Sequence, residues 1–291
     1  MVKVDSAIIL AAGASSRFAP ISYEIPKGLV EVHGEKMVER IIKQLKEKDI
    51  ENIIIVVGYK KEQYYYLKNK FNVKILENTD FDKRNNSSSI YIAQNYIKNS
   101  YIIHVDNYFT INPFKKHEDE SYYAALYSDD YTDEWCVKLD ENDYITDVKI
   151  GDSNSWYMAG HIFWNEAFSK EFIRILNEIY NKASTYNKFW EDIYVENMDI
   201  LKMKVKKFKN SDIKEFDSLN ELREFDKNYI IDTRSKIVKY LCEKLNCKEQ
   251  DILNFRATKN GLIADGFNFE LNKDSYHYDY ETKQIKMVKK C

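Results

Sequence analysis

Residues 6–27, SAIILAAGASSRFAPISYEIPK, decide how the rest of the chain is read. Ala7, Ile8, Ile9 and Leu10 form an unbroken apolar run, the pattern of a strand covered on both faces. The run passes through Ala11 and Ala12 to Gly13, so the loop after it begins with almost no side chain. Residues this small let backbone N–H groups approach an anion closely. Arg17 and then Lys27 follow, two cations able to grip a polyphosphate. A core strand ending in a flexible turn would show the same composition, so spacing alone leaves both readings open. The segment is not a Walker A loop, because G-x-x-x-x-G-K-[ST] is absent, and no G-x-G-x-x-G follows the strand.

Outward from this segment, apolar runs alternate with amphipathic stretches. Val38, Ile41, Ile42 and Leu45 share one face of a helix expected over 37–48. Residues 52–57 (NIIIVV) and 73–76 read as buried strands, and 87–98 as a helix with Ile90, Ala93 and Ile97 inward. A strand over 101–105 then ends at Asp106. This rhythm predicts an α/β, Rossmann-like fold: a mixed, mostly parallel sheet flanked by helices, with ligands at the carboxyl ends of the strands. Closer turns between 122 and 164 predict adjacent strands, followed by helices over 168–181 and 190–197 and a strand over 201–205. A boundary near Asn228 separates a main domain, 1–228, from a small α+β appendage, 229–291. The appendage should hold a helix over 235–245 and a β-hairpin or meander over 262–287, with turns at Asn272-Lys273 and Glu281-Thr282.

Composition narrows the function classes. The 291 residues are 44% hydrophobic and 14% aromatic, enough for a sizeable core, and the net charge of -3 gives no broad basic field for nucleic acid. No apolar stretch approaches the roughly 20 residues of a spanning helix, so membrane insertion is not expected. The short N-terminal apolar run is no signal peptide, and a cytoplasmic protein is the expectation. Cys136, Cys242, Cys247 and Cys291 form no C-x-x-C pair, which argues against structural zinc and a disulfide framework. Oligomeric state stays open, a homo-oligomer included.

Asp106, in HVDNYF, places a carboxylate at a strand's carboxyl end, and Asp217, in EFDSLNEL, sits at a second strand-to-helix junction. Two such carboxylates could share Mg2+, a hard cation that prefers carboxylate and phosphate oxygens. Asp217 reads equally as a helix N-cap. Asn86 and Ser88 open a helix whose first N–H groups lack partners within it. Trp135, Trp156, Tyr157, Phe189, Trp190, Glu191 and Asp192 gather aromatics and acids, the groups that suit a quaternary ammonium, although buried tryptophan core is as good an account of Trp135 and Trp190.

The opening L-A-A-G-x-x-S-R-x-x-P with its later P-K resembles the nucleotidyltransferases that join an NTP to a phosphorylated small molecule. Ser15 stands where many members carry a second glycine. VVGYKKEQYYYL, NNSSSIYIA, NSYIIHVDNYF, TDEWCV, FWED and EFDSLNELREF extend the resemblance over about residues 6–228, to bacterial CTP:phosphocholine cytidylyltransferases of the LicC type. The resemblance implies the nucleotidyltransferase fold and a Mg2+-dependent enzyme making CDP-choline and pyrophosphate from CTP and phosphocholine, for decorating cell-surface glycans or lipid. It implies that Leu10, Ala11, Ala12, Gly13, Ser15 and Ser16 wrap the triphosphate while Arg17 and Lys27 neutralise it. Asp106 and Asp217 would hold the metal, Asn86 and Ser88 the base or ribose, and Trp135, Trp190 and Glu191 the trimethylammonium. Phosphoethanolamine, 2-aminoethylphosphonate or a sugar 1-phosphate are alternative acceptors, and a non-catalytic nucleotide-binding protein is an alternative of another class. The stretch ILNFRATKNGLIADGFNFELNKDSYHYDY faintly resembles the opening strands of choline kinases. It lacks their Thr-Asn pair and has Tyr278-Asp279-Tyr280 in place of a basic turn, so a non-catalytic structural or oligomerising remnant is expected.

Overall fold

The computed structural model describes residues 1–259 and 264–288. Residues 260–263, within the stretch ILNFRATKNGLIADGFNFELNKDSYHYDY, and Cys291 lie outside the described residues. The chain forms two compact units: Met1–Gly13 with Val38–Glu215, and Ala14–Met37 with the chain from Phe216 onward.

The first unit is built on a nine-stranded sheet. Its strands are β1 (Ser6–Ala11), β2 (Ile53–Val57), β3 (Lys74–Glu77), β4 (Ser100–His104), β5 (Tyr122–Ser128), β6 (Thr132–Leu139), β7 (Ile145–Asp152), β8 (Ser155–Trp164) and β9 (Lys204–Lys207). The main order is β7-β6-β8-β4-β1-β2-β3, with β5 pairing β8 and β9. All six residues of β1 are buried, and it runs parallel to β2 and β4, as the unbroken apolar run predicts. Beyond β4 the sheet turns antiparallel, with Phe163 of β8 opposite Tyr101, except that β9 lies parallel to β5.

Helices α1 (Met37–Lys46), α2 (Ser87–Ala93), α3 (Glu166–Ile179) and α4 (Trp190–Val195) accompany the sheet. Ile8, Leu10, Ile54, Ile102, Trp164, Phe172 and Trp190 belong to one continuous core. The helix expected over 87–98 is α-helical only to Ala93 and tightens into a 3-10 turn, Gln94–Tyr96. The strand expected over 201–205 begins at Lys204, because β5 offers it partners only from there. A short ribbon absent from the sequence reading pairs Asn107–Phe109 with Ile213–Glu215. Arg40 and Gln44 of α1 tie it down by donating to Phe109 O at 2.7 and 3.2 Å.

The second unit contains a 3-10 turn at Ser16–Phe18, a short helix at Ile21–Glu24, α5 (Leu219–Phe225) and α6 (Lys236–Leu245). Its antiparallel meander comprises β10 (Ile252–Lys259), β11 (Ala264–Leu271), β12 (Asp274–Asp279) and β13 (Ile285–Val288). The meander starts earlier than expected, since Ile252 and Phe255 are buried with Phe267 and Phe269. Asn272 and Lys273 both have positive φ, 53° and 73°, in a two-residue hairpin that joins the paired Leu271 and Asp274. Among the described residues no helix is long and apolar enough to cross a membrane.

Candidate active site

In the first unit, β4 delivers His104 to the sheet's carboxyl edge, and Asp106 occupies the turn that follows. Asn107 lies opposite Glu215 in the short ribbon, and Asp106 and Glu215 bring carboxylate oxygens within 4.8 Å of each other. The two carboxylates supply hard donor atoms for a divalent metal. Asn107 is fully buried, and its amide nitrogen donates to Asp106 Oδ1 at 3.3 Å and to His104 O at 3.4 Å. Because both partners only accept, the nitrogen's position in that amide is fixed by chemistry. Gly160 of β8 makes room for it: a Cβ there would stand 2.6 Å from Asn107 Nδ2.

A second glycine shapes the loop after β1. A Cβ on Gly58 would meet Ala12 O at 2.8 Å, and the neighbouring Tyr59 N–H donates to that carbonyl at 3.0 Å. Neither glycine stands out in the sequence, because the need for each comes from a strand or loop far away in the chain.

Asn86, Trp190 and Glu191 meet where α2 and α4 begin. Asn86 Nδ2 donates to Glu191 Oε2 at 3.1 Å, and Trp190 N–H donates to Asn86 Oδ1 at 2.8 Å. Glu191 Oε1 accepts from Tyr123 Oη at 3.2 Å and lies 3.2 Å from His104 Nε2. Burial alone would lower the His104 pKa, but the hydrogen bond to Glu191 and its charge, with Asp106 and Glu215 beyond, raise it to about 9. His104 Nε2 therefore carries a proton toward Glu191, and Trp190 Nε1 at 3.5 Å is a contact rather than a donor to it.

Glu191 is thus a buried carboxylate that already holds its counter-charge. Trp190, expected as a wall of a cation cage, is fully buried against Tyr123, Trp164 and Phe172 and offers no open ring face. Ser88, expected to touch base or ribose, is also fully buried. It accepts from Asn78 Nδ2 at 2.7 Å and donates to Asn85 O at 2.8 Å. Trp135 is half-buried and meets Phe189 edge-on, with 6.4 Å between ring centres and Phe189 42% exposed. Tyr157, opposite Cys136, has its hydroxyl pKa raised by burial and then by the charges of Glu134 and Glu215. Phe189 is among the aromatics that the sequence offers in FWED, whereas Glu215 and Asn107 carry no role there. Both stand inside quoted motifs, EFDSLNEL and HVDNYF, where position next to an expected site residue was the available signal.

In the second unit, Asp217 binds both expected cations: Arg17 Nη1 at 2.9 Å and Lys27 Nζ at 3.1 Å. Lys27 is buried, with its ammonium 5.9 Å from the Phe18 ring centre, whereas Arg17 is largely exposed. The N-cap of α5 falls to Ser218, whose side chain accepts from Glu221 N–H in a capping box, and this leaves the Asp217 carboxylate to the cations. Ser15 is left-handed at φ 47° and begins the turn that carries Ser16 and Arg17.

Residues 7–110 match the MobA-like NTP transferase domain. The chain is 32% identical over 220 residues to the choline-phosphate cytidylyltransferase of Streptococcus pneumoniae, spanning 76% of this chain and 96% of that protein. It is 31% identical over 234 residues to the 2-aminoethylphosphonate cytidylyltransferase of Lancefieldella rimae, spanning 79% of this chain and 95% of that one. The solved structure of the pneumococcal CTP:phosphocholine cytidylyltransferase, LicC, aligns with a TM-score of 0.75 at 31% identity, over 78% of this chain and 99% of that one. Likeness at this level, over nearly the whole length of those enzymes, makes the chain an enzyme that belongs to the LicC-type cytidylyltransferases of the nucleotidyltransferase superfamily.

Proposed function

We propose that this enzyme converts CTP and phosphocholine to CDP-choline and pyrophosphate, with Mg2+ as its metal and the cytoplasm as its compartment. The observation that carries the choice of acceptor is the Trp135–Phe189 pair, two partly open rings at 80° to each other. Glu134 and Glu215 supply negative charge on the same unit, felt at Tyr157. Ring faces with carboxylate charge nearby suit a trimethylammonium, which makes no directed hydrogen bonds. Trp190 and Glu191 then support the pocket from beneath rather than line it.

An acceptor phosphate oxygen attacks the α-phosphorus of CTP as the bond from that phosphorus to the pyrophosphate oxygen breaks. The acceptor is already anionic near neutral pH, so no protein nucleophile or base is needed. The chain's task is to position two repelling anions and balance their charge. Arg17 and Lys27, both bound to Asp217 here, have the charge that a triphosphate requires. An added Cβ at Gly13 would meet nothing within 4 Å among the described residues, so their packing does not demand a glycine there, whereas close approach of a phosphate would. Carboxylate oxygens from Asp106 and Glu215 form a donor pair that suits Mg2+. When bound, the ion supplies charge stabilisation on the phosphates. Asn86 and Ser88 act by fixing the entry of α2.

The second reading keeps the chemistry and changes the acceptor to 2-aminoethylphosphonate. The Lancefieldella relative and the carboxylates around Tyr157 favour it, since a primary ammonium needs oxygen acceptors. Pyrophosphate release with CTP and Mg2+ should be compared across phosphocholine, phosphoethanolamine and 2-aminoethylphosphonate. The expected outcome is a kcat/KM at least about tenfold higher for phosphocholine, in line with a desolvated cation–π contact of roughly 2 kcal/mol. A preference for 2-aminoethylphosphonate selects the second reading, and a preference for phosphoethanolamine overturns both.

A further inference from the structure

We infer that the C-terminal segment braces the nucleotide loop, with Tyr280 and the Ser235–Ile237 entry to α6 acting as positioning residues for residues 14–37. The inference rests on the reading of Arg17 and Lys27 as the triphosphate grip. The solved pneumococcal enzyme is matched over 99% of its length by 78% of this chain, so part of this chain has no counterpart there.

Within the second unit the two stretches are joined at consecutive points. Glu24, at the end of the short helix after the loop, accepts from the backbone N–H of Lys236 at 2.9 Å and of Ile237 at 3.1 Å, and from Ser235 Oγ. One carboxylate thus satisfies donors that the first turn of α6 leaves without intrahelical partners, where negative charge is also favoured by the helix dipole. Tyr23 stacks on Tyr280 with ring centres 3.7 Å apart and planes 11° from parallel. Tyr229 Oη donates to Glu31 O at 2.7 Å, and Arg234 pairs with the Glu31 carboxylate at 2.7 Å. The Arg234 pair is exposed and contributes little by itself. The capped helix and the stacked rings carry the effect. They fix the chain on one side at Tyr23 and Glu24, between Arg17 and Lys27 in sequence, and β10 packs against the Ser16–Phe18 turn. A loop held in its binding form pays less ordering entropy when the anion arrives.

The test uses the full chain carrying Glu24→Ala with Tyr280→Ala, Glu24→Ala alone, and Tyr280→Phe, which keeps the stack. Amide hydrogen exchange of residues 14–30 is measured without substrate, and steady-state kinetics are measured for both substrates. In the double variant, exchange should quicken at least about tenfold and KM for CTP should rise about fivefold or more, while KM for phosphocholine and kcat stay within about twofold. The single Glu24 variant should move the same way by less, and Tyr280→Phe should match the wild type. Unchanged exchange across 14–30 in the double variant overturns the brace. Faster exchange with an unchanged KM for CTP overturns instead the assignment of this segment to the triphosphate.

Discussion

Ser15 adopts φ 47°, a region where an L side chain costs about 1–2 kcal/mol and glycine nothing. Glycine's greater freedom in the unfolded chain takes back roughly 0.5–1 kcal/mol. Ser15→Gly should therefore leave stability equal to the wild type or slightly higher in urea unfolding, and a clear loss would mean that the hydroxyl holds the loop. Asp106 was legible as a carboxylate at a strand end. Asn107 was not, because its importance lies in donating to Asp106 while Gly160 of another strand makes way for it. An outer partner of this kind typically contributes ten- to a hundredfold in metal affinity. Asn107→Ala should thus weaken Mn2+ binding to the substrate-free protein by about that factor in a paramagnetic titration. Unaltered Mn2+ affinity would show that Asp106 needs no orienting amide.

Strand and helix patterns translated well where an element is covered along its whole length, as β1, β2 and α1 are. They translated less well at α4 and β6, where the sequence offers Trp190 and Trp135 as candidate ring walls and only tertiary packing separates buried Trp190 from half-buried Trp135. Strand β8 hides a similar ambiguity. His161 points into an aromatic box of Tyr101, Phe109, Phe114, Tyr122 and Phe208, and Lys206 lies near enough to act on it. Tyr122 Oη gives its proton to Glu118, so His161 Nε2–H donates to Tyr122, and Nδ1 finds no partner among the described residues. Burial, and then Lys206, push this imidazole well below its usual pKa, and it stays neutral in the fold. The unfolded chain takes up a proton near pH 6.5, so stability falls as pH drops below that value, by about 1.4 kcal/mol per pH unit until the folded group also titrates. His161→Phe should remove that part of the acid sensitivity in denaturant melts between pH 7 and pH 5. Equal slopes for variant and wild type would mean that His161 takes up its proton in the fold as readily as in the unfolded chain.

At the scale of the whole molecule, the alternation of apolar runs carried the fold class, while the division into units followed contacts that no local pattern records. Glu31 meets Tyr229 across 198 positions and Glu24 meets Ile237 across 213, so residues 14–37 pack with a C-terminal region that reads by composition as a separate appendage. Charge, in contrast, is fully legible. A net charge of -3 from 44 basic and 47 acidic residues leaves no long-range field to draw in an anionic nucleotide. The attraction has to be local, and Arg17 and Lys27 are already screened by Asp217 at 2.9 and 3.1 Å. With a Debye length near 10 Å at 0.1 M salt, a protein that steers its substrate over distance loses association rate steeply as salt rises, whereas one that grips at contact does not. The kcat/KM for CTP, measured at saturating phosphocholine from about 50 to 300 mM NaCl, should change by less than about threefold. A fall of thirtyfold or more would reveal a basic approach surface outside the Arg17–Lys27 grip and would require a different account of how this acidic protein captures CTP.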